Sequence, residues 1–372
     1  AILSKLATDN FKGLSPKNKV KAEPLESFLK SDWQKIIKLI EKEEHWAEQN
    51  LANYPRKPES LIPKKSSVTE FFRAIRVNPN TLLPLYRQEM PNTSHASHAK
   101  NLLLPSEITL LPDSLSPTGQ HFIKVKPGQY VLAQDVFTSA TDEPDYGLDI
   151  ELWNDSESSF GAEYKMGKQP FGNSKLSYGS QAPFHMGFYH EWAPLYWVAP
   201  NIKRTYPEQR IHLFRSLSRF AFETGHPYWG WRFAGMGAHY VQDLTQPYHT
   251  TVLPDKHPLL LILYGILDKL GFSGPKERLI EEATEKHLDL EHKAYEKILK
   301  AYYGVPSNIS EALQIQPDET LEYTPSYVRE ELSAESNKLN HKTSLAKLMR
   351  NFGKHTRAYL RSITDCQKSC QD

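Results

Sequence analysis

The chain has 372 residues, with 45 Lys plus Arg set against 44 Asp plus Glu, 39% hydrophobic residues and 24% charged ones. That composition suits a soluble globular protein with one large core or two smaller ones. The charge balance excludes a global basic field that would gather nucleic acid, and a global acidic field as well.

The first residues, Ala1-Ile2-Leu3-Ser4-Lys5, lack the apolar stretch of a signal peptide, so the chain is either mature after cleavage or never exported. Leu25, Phe28, Leu29, Trp33, Ile36, Ile37 and Ile40 recur at helical spacing and predict an amphipathic helix over 24–50, broken beyond by Pro55, Pro58 and Pro63. A short helix is expected near Ser67–Ile75, capped by Ser67. Residues 77–200 hold many of the 26 prolines and read mostly as long loop, with short strands at 122–125 and 130–132 around the turn Pro127-Gly128. From Pro207 onward helices are expected at 207–224, 228–246, 258–270, 275–303 and 326–364. The longest apolar run, Pro258 to Leu267, is about half of what a bilayer span requires. The only cysteines, Cys366 and Cys370, suit one tight disulfide of an exported protein, or two idle thiols on a frayed helix end. The predicted architecture is mainly α: a helical bundle with a long loop-rich insertion. An N-terminal extension of unassigned role covers 1–135, and the helical domain with the chemistry covers 136–372.

The chemistry concentrates in Gly237-Ala238-His239-Tyr240-Val241-Gln242-Asp243-Leu244-Thr245-Gln246-Pro247-Tyr248-His249. Four residues apart on a helix, His239 and Asp243 share a face. Pro247 ends that helix, and His249 just beyond can turn back toward the same cavity. Imidazole nitrogen with carboxylate oxygen is an ordinary donor set for zinc. His292 and Glu296 form a second pair at the same spacing on the 275–303 helix. His287 and Glu291 are rivals for that role; His287 and His292 point about 140° apart, so they do not share one metal. Trp229, Phe233, Met236 and Tyr240 form a stripe expected to pack in the core behind the metal face. His226 is expected at a helix start, and His212, His341 and His355 are expected to face water.

The segment around His239 resembles the signature of zinc-dependent phospholipases C and their relatives, the S1/P1-type nucleases. That signature is His-Tyr, two residues, Asp, three residues, Pro, one residue, His, and it is complete here at His239, Tyr240, Asp243, Pro247 and His249. His292-Lys293-Ala294-Tyr295-Glu296 is similar to the family's next block, a His and Glu with an aromatic residue before the Glu. Upstream, Asp145-Tyr146 and the stretch from Ala182 to Tyr189 resemble an Asp-Tyr pair and a loop histidine followed by Phe-Tyr, with two extra residues inside the second. The resemblance covers residues 142–304 and implies a bundle of the phospholipase C/P1 nuclease type. It implies one zinc held by Asp145, His185, His239 and Asp243, and another held by His249, His292 and Glu296, giving two or three zinc ions per chain. Asp145 is also implied as general base. His190 competes with His185, and Asp149 with Asp145. The family's third zinc uses an N-terminal tryptophan and an early histidine, whereas this chain has Ala1 and a first histidine at His45. His45, His95 and His98 are the replacements available.

The implied activity is phospholipase C action on glycerophospholipids, giving diacylglycerol and a phosphorylated head group, with phospholipid as partner and no nucleic acid. A secreted or periplasmic location goes with the resemblance and the cysteine pair. The apolar run at 258–267 lies within the 42 residues between His249 and His292, a longer link than the family's. It is expected to be a buried helix or, alternatively, a transient contact with a membrane surface. Two other functions compete: an S1/P1-like nuclease or 3′-nucleotidase, and a non-catalytic helical binding protein in which these residues only form surface pairs.

Overall fold

Helical periodicity dominates the sequence, and helix dominates the fold. This computed structural model describes residues 1–9, 11–15, 17–89, 101–111, 121–172, 177–305, 308–314, 321–340 and 342–365. In chain order come α1 (Ile2–Thr8), β1 (Lys19–Lys21), α2 (Leu25–Asn50), α3 (Val68–Ala74), β2 (Tyr86–Glu89), β3 (Leu102–Leu103), β4 (His121–Lys124), β5 (Tyr130–Leu132) and α4 (Ala133–Ala140). The short helices α5 (Gly161–Tyr164), α6 (Ala182–His185) and α7 (Ala193–Val198) follow. The longer helices α8 (Pro207–Glu223) and α9 (Pro227–Asp243) run through the main core cluster, and the single turn α10 (Pro247–Thr250) follows them. Then come α11 (Pro258–Lys269), α12 (Gly274–Tyr302), α13 (Asn308–Gln314), a π-helical turn at Val328–Ser333 running into α14 (Ala334–Ser336), and α15 (Leu345–Thr364).

The middle of the bundle is α9, in which every residue from Tyr228 to Val241 is buried. It packs against α8, α4 and α15. The stripe Trp229, Phe233, Met236 and Tyr240 lies in the core as expected, each such burial contributing about 1.5–3 kcal/mol. Gly235 sets the spacing to α4, because a Cβ there would lie 2.4 Å from the Phe137 carbonyl oxygen. That close approach brings the end of α4, and Thr141 beyond it, beside His239.

The expected boundary near residue 135 does not divide the core. Phe28, Ile36, Phe72 and Val131 belong to the same hydrophobic cluster as Phe214, Phe233 and Tyr240. The two expected strands exist but do not pair with each other. β4 lies between β2 and β3, all antiparallel, while β5 pairs with β1, where Val20 faces Val131. The 24–50 helix forms with a break at Asp32, and Ser67 caps α3 by accepting from Glu70 N–H. The stretch expected as loop contains α4. The single helix expected over 326–364 is interrupted between Ser336 and Leu345. His226 stands at the start of α9, as expected, and its ring bonds Glu23. His355, expected at the surface, is fully buried between Tyr327 and Glu335. His212, expected to face water as well, stacks on Trp46 at 3.7 Å, and His341 lies outside the described residues.

A buried ion pair ties α9 to the end of α4. Arg232 donates to Glu143 at 2.7 and 3.0 Å and to the Pro84 carbonyl at 3.0 Å. Removing one partner strands the other charge, whereas removing both does not. Arg232→Met is expected to lower unfolding stability by about 3–5 kcal/mol. Adding Glu143→Leu should restore most of that loss, as read from urea denaturation midpoints.

Candidate metal centre

Three structural features deliver the first donor set. α9 presents His239 and Asp243 one turn apart, a 3₁₀ turn at Pro144–Tyr146 carries Asp145, and α6 ends on His185. His185 Nδ1 lies 2.8 Å from Asp243 Oδ2 and 3.0 Å from His239 Nε2, and His239 Nε2 lies 3.2 Å from the same Asp243 oxygen. Asp145 Oδ1 stands 3.6 Å from His239 Nε2 and 3.8 Å from His185 Nδ1. The imidazoles are buried, while the Asp145 side chain is 52% exposed. The set therefore has an open side.

Each ring is held from behind. His239 Nδ1–H donates to the Thr141 carbonyl at 2.7 Å, which leaves Nε2 facing the cluster. Behind His185, Nε2 lies 3.4 Å from Asp149 Oδ2. Asp149 is itself fully buried, accepting from Arg210 at 2.7 and 2.9 Å and from the Tyr240 hydroxyl at 2.6 Å. Burial opposes its charge, but Arg210 and the other donors outweigh burial and hold its carboxyl below the usual range. Anchors of this kind fix the tautomer and direction of metal-binding imidazoles.

The second donor set is His249, His287 and Glu291. After the Pro247 break, α10 turns His249 back, and His249 Nδ1–H donates to the His185 carbonyl at 2.9 Å. Gly187 N–H returns a bond to the His249 carbonyl at 2.7 Å. A Cβ at Gly187 would lie 2.6 Å from the Tyr189 ring and 2.7 Å from Leu244, so this approach needs glycine. His249 Nε2 faces His287 Nε2 at 3.0 Å, and His287 Nε2 lies 2.8 Å from Glu291 Oε1. Glu291 is 48% exposed at the rim. Asp243 stands between the sets, its second oxygen 3.5 Å from His249 Nδ1.

The arrangement fits divalent cations. Around a tetrahedral ion with bonds of roughly 2.0–2.2 Å, donors stand roughly 3.3–3.6 Å apart. The observed separations of 2.8–3.8 Å in the first set bracket that value. Two pairs of ring nitrogens face each other at 3.0 Å, and facing lone pairs need a cation or a proton between them. Protons take that role when metal is absent. Burial pulls His185 and His239 down, but the carboxylates of Asp243 and its neighbours outweigh it and raise them to about 10 and about 9. Burial opposes the Asp243 charge too, yet His239, His249 and His185 hold its carboxyl well below the usual range. Burial lowers His249, whereas at His287 Glu291 overcomes burial and raises the ring.

Asp145, His185, His239, Asp243 and His249 thus come together as the sequence suggested. The second helical pair is corrected: His287 and Glu291 meet His249, whereas His292 and Glu296 are exposed on another face of α12. His190 is exposed and bonds the Arg329 carbonyl, leaving His185 as the donor. Asp149 anchors His185 from behind, leaving Asp145 at the open side. Arg210, which holds Asp149, carries no local sequence signal of its burial. Among the described residues no third donor group occurs. His45 is exposed and bonded to Gln49, and His95 and His98 lie outside the described residues. Comparison with protein-family models, curated proteins and solved structures finds no match.

Two outcomes are expected from this geometry. His287→Ala should remove about one metal equivalent while His292→Ala leaves metal content unchanged, and Asp149→Asn should weaken binding about 10- to 100-fold, both by equilibrium dialysis and elemental analysis. Metal binds neutral imidazole, and His185 and His239 are protonated at pH 7 without it. Loading at pH 7 should release about two protons, and affinity should rise with pH up to about 10, as read by calorimetry in buffers of different ionisation enthalpy.

Proposed function

We propose that the chain is a zinc-dependent phosphodiester hydrolase of the phospholipase C type, with a helical bundle like that of the phospholipase C and P1 nuclease relatives. The observation that carries this reading is the pair of imidazole–carboxylate donor sets on either side of Asp243, each opening to solvent through one carboxylate, Asp145 or Glu291. Mixed nitrogen and oxygen donors suit zinc. Asp145, His185, His239 and Asp243 would hold one ion, and His249, His287 and Glu291 another. Zinc so held acidifies water to near neutrality and offsets the negative charge of a phosphate ester.

The protein's own residues supply the rest. Asp145 is half exposed beside the buried imidazoles, so its carboxylate can accept the proton of an attacking water. The new bond forms from that water oxygen to phosphorus, the bond from phosphorus to the glycerol oxygen breaks, and the departing alkoxide takes a proton to become diacylglycerol. Thr141, the His185 carbonyl and Asp149 hold the rings in place throughout, so none must reorganise during the reaction.

Protein purified without chelator is expected to contain two zinc per chain, with a sharp loss in His239→Ala. It should release diacylglycerol from phosphatidylcholine, and Asp145→Asn should slow that release by about 100-fold or more. Absence of bound metal would overturn the reading, and cleavage of single-stranded DNA in place of lipid would turn it to the nuclease alternative.

A further inference from the structure

The apolar run at 258–267 plays no part in the metal centre, and its helix α11 has apolar residues on opposite faces. On the inner side, Leu261 is buried in a cluster with Val198, Tyr248 and Leu253, and Gly265 abuts Val198. On the outer side, Leu259, Leu263, Ile266 and Leu270 follow at intervals of four, three and four, which places them in one line along the helix. All four are between 39% and 68% exposed. Phe272, 65% exposed, prolongs the line past the helix end. Beside it Trp197 of α7 is 76% exposed, and Lys269 of α11 lies over its ring at 5.6 Å and donates to its carbonyl at 3.3 Å. A solvated helix ordinarily turns polar residues outward on such a face.

We propose that this ridge seats the protein on the surface of a phospholipid bilayer. The idea rests on the phospholipase reading for its choice of partner, while the chemistry at the edge of the ridge argues for lipid over a second copy of the chain. Trp197 lies under Lys269, and its neighbour Tyr196 lies under Lys203 at 4.8 Å. The exposed leucine, isoleucine and phenylalanine side chains, with the exposed Trp197 ring and the Lys269 ammonium beside them, match what a bilayer surface offers in acyl chains, interface and phosphate. Protein interfaces, in contrast, are depleted of lysine. The 12-residue helix is too short to cross a bilayer, so it lies along the surface. Its inner neighbour Tyr248 precedes the donor His249 and stacks on His287 at 5.9 Å with 10° between rings. The cluster beneath α11 thus reaches, through Tyr248, the helix turn and the ring that carry the second donor set.

The test is flotation of the metal-loaded protein with vesicles of phosphonate analogues of phosphatidylcholine and phosphatidylglycerol, in which the bond to be cleaved is replaced by carbon–phosphorus, so that no hydrolysis occurs. The unaltered chain should float with the vesicles. A double variant, Leu263→Ser with Leu270→Ser, should lose partitioning by about tenfold or more. Trp197→Ala, on a separate helix, should weaken it as well. All three positions are exposed, so circular dichroism should stay unchanged. Failure of the unaltered chain to float, or flotation indifferent to both variants, overturns the proposal. So does a dimer on size exclusion that the double variant dissolves while flotation persists. Zinc content and hydrolysis of a soluble phosphodiester are read separately, so failure here is distinguishable from failure of the hydrolase reading.

Discussion

The site depends on one buried guanidinium. Arg210 of α8 is almost fully buried and has no acceptor of its own, so every N–H it carries needs a partner within the protein. It finds the Asp149 carboxylate and the backbone carbonyls of Ile75 and Arg76. Through these bonds the N-terminal segment, the turn beyond Tyr146 and α8 meet at one point. Asp149 then passes the constraint on, accepting from Tyr240 of α9 and facing His185. Loss of Arg210 would leave a carboxylate buried without its counter-charge, a costlier change than the loss of any single donor at the rim.

The donors carry a charge conflict that folding alone does not resolve. Asp243 lies close to three imidazoles, and two pairs of imidazoles point nitrogen at nitrogen. The carboxylates favour protonated rings, while burial disfavours them. Protonated rings in turn repel one another. Positive charge between the rings satisfies carboxylates and nitrogens together, which is why the geometry suits a cation.

Much of this was legible from the chain. The His239, Asp243 and His249 spacing, with a proline break between, dictates a shared face and a return, and the structure has both. The choice between His287 and His292 was not legible, because both pairs offer a carboxylate four residues on. Packing decides it: Tyr248 stacks on His287 and turns that face of α12 toward His249. Similarly, nothing local in Ala133–Ala140 announces α4 amid proline-rich flanks; its burial against α9 sustains it. His355 looked like a surface residue because Tyr327 and Glu335, its partners, lie 28 and 20 positions upstream. The apolar run in α11 reads from sequence as a buried helix, but only Leu261 of that helix is buried, and only the fold reveals which of its sides stays uncovered.

A carboxylate placed between two donor sets makes them one thermodynamic unit. Whatever occupancy of the first set does to affinity at the second, occupancy of the second must do to the first by the same factor. Two cations held there would therefore not bind independently, and a titration of one set alone would not measure its intrinsic affinity. Asp243, with one oxygen toward His185 and His239 and the other toward His249, is the residue through which that linkage would run.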